Sequence, residues 1–594
     1  MKSLSWLQCL IDDVHFWSNM HTWLRRNLLV LSYIACAATV MLGYVRYDPY
    51  QLDGDAISYM DIASSLAHRR WGEAINGLWN PGYPAVLAIA KIITHAGRMR
   101  EPQVFYWVNF LIFIASIGCT YFFVRSLLSF RARTIADNQR CDTWVLPDSL
   151  VYIVSFGIVL QSWLHEFSPG KIRVDGLFAT LLLLGFGCIT RALDTRRALA
   201  YGGAGLFLGL AYLVKSPGLV IALVTMSLLM LVLYQQKGLK DSVWKLSLMA
   251  AIFLMVCGPY IAALSLQKHR FDAGDSARLN YAWLVDGTAP QHLLNDQSDR
   301  FGDSRVHLKH PETELLSHPI VVSFEHFQHA TYAPWFDPSY FNDGIDPQFS
   351  FRNQLLVITH QSHRLLWFIV THAFVLILLT LCFVWGAEIP SNKELRGLLT
   401  VFSFLLAFCI LMYLSVKLLD RYIAGLFWPA CVSAVALLTV SEKRKRGLIS
   451  GAAVFMSLAI LASGVQTVLQ MRQSAIFSGK THGWYSAVEY GTARELPGYG
   501  VTPGSVVSCY RACNTGTYWA RLAGVRVTSE IYDPKYMSDA EDGNSSWSKL
   551  PNKLGIFQAL KATGSKGIVG LFEQTPAADE GWEHLEGMYY FHPL

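Results

Sequence analysis

DGDAISYMDIASSLAHRRWGEAINGLWNPGYP, residues 53–84, is the first long polar interruption in a chain that is otherwise strongly apolar. It follows the apolar run LLVLSYIACAATVMLGYV and carries Asp53, Asp55 and Asp61 ahead of a WNPGYP turn. A helix that begins at Asp55 puts Asp55, Tyr59 and Ile62-Ala63 on one face. An acid at such a helix start is a natural N-cap, and the same position suits a proton acceptor. Which of the two it is depends on what the other loops bring to this side of the chain.

The totals set the frame. Of 594 residues, 53% are hydrophobic and 15% charged, where ordinary globular chains carry about a quarter charged. This balance marks a polytopic α-helical membrane protein. The 18 tryptophans suit interfacial belts. The net charge of +6 is spread over short loops, so it reports topology; no nucleic-acid partner is expected. Most of the cysteines lie in or beside apolar segments, where free Cys packs as a small hydrophobe. Cys509 and Cys513 instead fall in a late polar region, and whether they pair stays open.

Arg25 and Arg26 precede the first apolar run and put the N-terminus in the cytoplasm. The loop 47–81 is then extracytoplasmic. Segments 57–70 and 83–97 are too short to span and read as helices lying at the membrane surface. Basic residues then mark alternate loops. Spans are expected at 27–45, 103–126, 147–164, 177–190, 199–214, 218–234 and 246–266. A long outer loop, 267–362, follows, and then come 364–385, 397–416, 422–440 and 449–468. The tally is about 11 spans with the C-terminal tail outside. Residues 1–469 form the transmembrane domain, with outer loops 47–102 and 267–362. In 470–594 the apolar runs shorten to strand length, as in SVVSCY, VRVTSEI, GIVGLF and MYYFHPL, with helical patterns between them. That alternation predicts a small extracytoplasmic α/β domain.

Polar groups beside apolar spans need a reason. Besides Asp53, Asp55 and Tyr59, three clusters fall on the outer face. His165, Glu166, Lys171, Arg173 and Asp175 crowd a short connection. Lys215 stands alone before Ser216-Pro217. Lys417, Asp420, Arg421 and Tyr422 lie between two spans. Each can be solvated rim, a snorkelling lysine or a local ion pair. Together they combine acids that can activate a hydroxyl or amine with cations that can hold a phosphate leaving group. The loop 267–362 is rich in histidine, including His307, His310, His326 and His329, and in aromatics, in YAWLVDG (281–287) and TYAPWFDPSY (331–340). No cysteine accompanies the histidines, so no metal site is assigned, and divalent-cation dependence stays open. A long aromatic loop suits a cover over the donor or a binder of sugar faces.

In order and placement these pieces resemble the GT-C superfamily of integral-membrane glycosyltransferases, of the protein O-mannosyltransferase and lipid A aminoarabinose transferase type. The resemblance rests on Asp55-x3-Tyr59-x3-Ala63, the NPGYP turn (Asn80–Pro84), Ser168-Pro169 with Asp175, GLAYLVKSP (Gly209–Pro217) and DRYIAGLFWP (Asp420–Pro429). It covers roughly residues 27–440. It implies inverting transfer of a hexosyl or pentosyl group from a polyprenyl-phosphate sugar, with no cofactor, at the outer face of a bacterial-type inner membrane. Asp55 would be the general base, with Asp53 as its alternative, and Asp175 a second acid in the site. Lys215 and Arg421 would bind the donor phosphate. Tyr59, His165, Glu166 and Tyr422 complete the candidate substrate-binding set. The partners would be the lipid-linked donor, membrane lipid and an acceptor that the sequence does not specify: lipid, glycan or protein. The alternative reading is a polytopic transporter or flippase, which moves a lipid-linked or small polar substrate and makes no glycosyl product.

Overall fold

The computed structural model describes residues 27–47, 54–137, 144–288, 307–385, 387–390, 392–440, 443–477, 484–511, 513, 516–532, 546–572 and 574–594. Apolar runs become helices because backbone groups inside lipid must be satisfied within their own segment. Among the described residues, eight helices are long and apolar enough to cross a membrane. They are Asn27–Tyr47, Glu101–Ala136, Asp148–Phe167, Asp175–Thr195, Pro217–Gln235, Leu239–Lys268, Lys393–Leu414 and Lys445–Gln473. Phe351–Thr371 and Val375–Val384, bent by 73°, pass as one further span. The protein is a multi-pass membrane protein.

All the segments expected to span are helical. The difference from the expected tally lies in length and polarity. Ala198–Val214 has only 17 residues, and Asp420–Leu437 opens on a charged pair and contains Pro429. The two segments read as surface helices are Gly54–Ala67 and Gly82–Thr94. The second buries Tyr83 and Leu87 and leaves Ile89, Ile92 and Ile93 exposed. That amphipathic split suits a helix with protein on one side and lipid on the other.

Small residues allow the bundle to close. Gly205 faces the backbone of Met249, and a Cβ there would run into the Met249 carbonyl. The helices Ala198–Val214 and Leu239–Lys268 therefore touch backbone to backbone. At one end of the bundle, three connections meet in a sheet of two-residue strands: Trp144–Val145, Thr439–Val440 and Ala387–Glu388. Beside it, Arg131 donates to the Ala436 carbonyl at 2.7 Å and pairs with Asp148 at 2.9 Å. Arg133 reaches Asp194 at 3.1 Å and Glu394 at 3.2 Å. These contacts put on one face the loops that the basic residues had marked as one face.

The tail is α/β as expected, but its sheet reaches beyond the tail. The strands are β1 Thr313–Ser317, β2 Ile320–Ser323, β3 Val506–Tyr510, β4 Arg526–Ile531, β5 Gly567–Leu571, β6 Glu583–His584 and β7 Tyr589–Pro593. Their spatial order is β1-β2-β4-β3-β5-β7-β6. β3 runs parallel to both β4 and β5. β2 joins β4 antiparallel, with Val321 opposite Ile531. Two strands of the sheet thus come from the long connection 267–362. Helices Tyr518–Ala523 and Lys553–Ala562 make the crossovers. Cys509 and Cys513 are joined in a disulfide.

Candidate active site

Asp55 stands in the first turn of the helix Gly54–Ala67, and Tyr59 follows one turn later on its buried face. The Tyr59 ring packs edge-on against Trp79 at 5.3 Å and Tyr83 at 5.7 Å. Burial pushes the Tyr59 phenol far above its ordinary range, and the carboxylates of Asp55 and Asp175 push it further. It stays a hydroxyl donor.

The turn that follows is tied down at each step. Asn76 Oδ1 accepts the backbone N–H groups of Leu78 and Trp79, both at 2.9 Å. Asn80 Nδ2 donates to the Tyr212 carbonyl at 2.8 Å. Gly82 sits so close to the end of the Ala198–Val214 helix that a Cβ would lie 2.6 Å from the Leu213 carbonyl oxygen. Tyr83 donates its hydroxyl to Asn109 at 2.8 Å, and Asn109 donates to the carbonyls of Pro169 at 3.1 Å and Lys171 at 2.7 Å. The NPGYP turn is therefore braced against the two connections that deliver Lys215 and Asp175.

Asp175 opens the helix Asp175–Thr195, Lys215 follows Ala198–Val214, and Arg421 is in the first turn of Asp420–Leu437. Lys215 Nζ donates to Asp175 Oδ1 at 2.6 Å. Arg421 Nε lies 3.6 Å from Asp175 Oδ2, and its Nη2 lies 3.7 Å from Asp55 Oδ2. Asp175 is 4% exposed, so its charge is carried by these two cations. Lys215 Nζ also lies 3.7 Å from the centre of the Tyr422 ring, a cation–π contact.

These side chains face one cavity of about 330 Å³. Asp55, Tyr59, Asp175, Lys215, Arg421 and Tyr422 all line it. Arg173 and Lys417 join them, so four cations face two acids among the described residues. The excess of two positive charges suits an anionic group such as a phosphate. Trp79, Trp283 and Trp335 also line the cavity. Ser58 Oγ and Trp79 Nε1 both donate to the Trp335 carbonyl, at 2.7 Å and 3.0 Å. This fixes the segment that carries Trp335 to the helix that carries Asp55.

His165 and Glu166 do not line the cavity. His165 is exposed, and Glu166 is buried with Oε1 3.3 Å from His372 Nε2. Asp53 lies outside the described residues. The three tryptophans were not singled out by sequence reading. Trp283 and Trp335 do lie in the two aromatic stretches expected to cover a donor. Among the described residues, no group of three or more His, Cys, Asp or Glu could hold a metal ion. Both cavity acids already face cations, an arrangement that suits an anion better than a metal.

No protein-family model matches the chain. No curated protein matches it by sequence. Among solved structures, it is similar to ArnT from Cupriavidus metallidurans in the apo state. The TM-score is 0.51 and the identity 10%, over 95% of this chain and 97% of that one. It is likewise similar to ArnT from Cupriavidus metallidurans bound to undecaprenyl phosphate. There the TM-score is 0.53 and the identity 12%, over 95% of this chain and 98% of that one. The fold is GT-C-like along nearly the whole length.

Proposed function

We propose that this chain is a membrane glycosyltransferase that moves one sugar from a polyprenyl-phosphate donor to an acceptor at the outer face of a bacterial inner membrane. The observation that carries the reading is the cavity itself. In it Asp55, from the first outer loop, faces the same space as Lys215 and Arg421, which share Asp175. ArnT bound to undecaprenyl phosphate supports a polyprenyl phosphate as the leaving group.

In this mechanism the donor phosphate sits among Lys215, Arg421, Arg173 and Lys417, and the sugar lies against the indole wall. The acceptor's hydroxyl or amine attacks the anomeric carbon from the side opposite the phosphate, which inverts that centre. Asp55 takes the acceptor's proton. The anomeric C–O bond breaks, and its electron pair stays on the phosphate oxygen. The cations stabilise the charge that gathers there. Asp175 brackets Lys215 and Arg421 rather than acting as a base, because it is buried between them.

The test is transfer in vitro from a panel of labelled polyprenyl-phosphate sugars to membrane acceptors. Loss of the base typically lowers the rate by about 10²–10⁴-fold, and Asp55→Asn should fall in that range while folding normally. Full transfer by Asp55→Asn removes the mechanism. Substrate movement across a bilayer without any glycosyl product would favour the transporter reading.

A further inference from the structure

A second set of charges is buried away from the cavity, and no step of the transfer uses it. Arg521 lies on the helix Tyr518–Ala523, and its partners lie on two helices far upstream. Its Nη2 donates to Glu101 Oε2 at 2.6 Å, to Ser64 Oγ at 2.7 Å and to the Met60 carbonyl at 3.3 Å. Its Nη1 is 3.5 Å from Asp61 Oδ1. Lys91 Nζ completes the set, 2.5 Å from Glu101 Oε1 and donating to Ser64 Oγ at 2.8 Å. Asp61 also accepts the backbone N–H of Thr331 at 2.7 Å and its hydroxyl at 2.9 Å. The side chains of Asp61, Glu101 and Arg521 are 2%, 1% and 5% exposed.

Such depth makes the pairing obligatory. A buried carboxylate without its cation is strongly unfavourable. Burial pushes the Asp61 carboxyl up, while Arg521 and the two Thr331 donors pull it back. Lys91 serves Glu101 from the surface helix Gly82–Thr94, whereas Arg521 comes from the C-terminal α/β region. Arg98 also bears on this cluster, with charges near both acids. It packs against Gly524, where a Cβ would run into its Nη1. The geometry suits arginine in particular. Its two terminal nitrogens face acids on different helices at once, Nη2 toward Glu101 and Nη1 toward Asp61, a span that the single ammonium of lysine does not cover.

The place it grips is informative. Met60, Asp61 and Ser64 belong to the helix Gly54–Ala67, the helix that presents Asp55. Asp61 lies six residues past Asp55, about 9 Å along the axis at 1.5 Å per residue. A tilt at that end swings the Asp55 carboxylate within the cavity. At the other end Ser58 holds the Trp335 carbonyl. The helix is thus held by the outer loop near Asp55 and by the C-terminal region beyond it.

We propose that Arg521 is a positioning residue for the transfer: docked between Asp61 and Glu101, it fixes the aim of Asp55 and makes the C-terminal region a working part of the site. This rests on the glycosyl-transfer reading with Asp55 as base. The test is Arg521→Lys in the full-length purified protein, which keeps the charge and removes the fork. The variant should unfold at a lower temperature than the wild type but stay fully folded at the assay temperature, and keep its donor KM within about twofold. Its kcat should fall on the order of tenfold to a hundredfold, the scale of a 1 Å misplacement. Adding Asp61→Asn should lower kcat little further, because the two residues act as one unit.

A wild-type kcat in Arg521→Lys overturns the inference and leaves the transfer reading standing, provided Asp55→Asn is still inactive. A loss of kcat that merely tracks the fraction of folded protein, or losses that add in the double variant, also overturns it. Absence of glycosyl product from the wild-type protein overturns the transfer reading, and the positioning role with it.

Discussion

Lys215 Nζ donates to Asp175 Oδ1 at 2.6 Å, joining the end of one helix to the start of another. The contact is nearly closed to solvent on the Asp175 side, so removing either partner leaves a charge in poor surroundings. Truncating one member of a buried pair typically costs about 3–5 kcal/mol. Lys215→Met should therefore lower the unfolding temperature and raise the donor KM. Lys215→Met with Asp175→Asn should recover much of the stability and none of the donor affinity. Thermal unfolding and donor titration separate the two effects. Recovered donor affinity in the double variant would remove Lys215 from the phosphate site.

Trp283 lines the cavity, and its indole Nε1 is buried without an acceptor among the described residues. Its ring stacks near Trp335 at 6.5 Å. Turned toward the cavity, that N–H can donate to a hydroxyl of a sugar bound there. One such hydrogen bond contributes about 1 kcal/mol, or roughly fivefold in affinity. Trp283→Phe keeps the ring and should raise the donor KM by about that factor with kcat little changed. Trp283→Ala should raise it further. An unchanged KM in both variants places the sugar elsewhere.

Gly82 lets the NPGYP turn touch the end of the helix that delivers Lys215. A methyl at this position meets the Leu213 carbonyl oxygen at 2.6 Å, and backbone cannot swing aside as a side chain can. Overpacking of this kind costs about 1–3 kcal/mol. Gly82→Ala should lower the unfolding temperature and weaken donor binding, whereas Gly72→Ala, which meets no neighbour, should do neither. Equal behaviour of the two variants would show that the turn has room to move.

Glu489 gives a pH dependence with a definite sign. It is buried, and burial pushes its carboxyl up to about 8, against hydrogen bonds from Tyr589 and the Trp519 N–H. Tyr589 Oη lies 2.5 Å from Glu489 Oε1 and 3.2 Å from the Gly516 carbonyl. A protonated Glu489 can thus donate to Tyr589, which donates onward to Gly516. The folded pKa exceeds the unfolded one, so this stabilisation is complete below the ordinary carboxyl range. It declines as pH rises toward about 8 and is gone above that. Thermal stability should fall between about pH 5 and 8. Glu489→Gln should flatten that slope, and a slope left unchanged would show that Glu489 does not set it.

Much of this architecture was legible because the signals are local. Apolar length, basic flanks and Gly/Pro punctuation located the helices, and alternation located β3, β4, β5 and β7. Asp55, Tyr59, Asp175, Lys215, Arg421 and Tyr422 could be gathered before any coordinates because each stands at a polar break between apolar runs on one expected face. What stayed hidden depends on partners distant in the chain. His165 and Glu166 share a crowded loop with Asp175, yet Glu166 turns toward His372, and charge density in a loop carries no direction. Thr313–Ser323 became two strands because β4 offers an edge that lies some 200 residues downstream. Arg521 looked like one more basic residue on a short helix. Its buried acids are separated from it by 420 residues or more.

The pairing of β2 with β4 has a consequence for how the molecule is made. Ile320–Ser323 emerges from the ribosome well before Arg526–Ile531, with several hydrophobic segments still to be threaded between them. Until that threading ends, the β2 edge has no β4 to bond to and Asp61 has no Arg521. A nascent or truncated chain that stops short of Arg521 can insert every apolar helix and still lack both fastenings. Competence therefore arrives only once β4 and Arg521 have been made, and a copy that stops short of them carries an open sheet edge, a template for pairing with another chain.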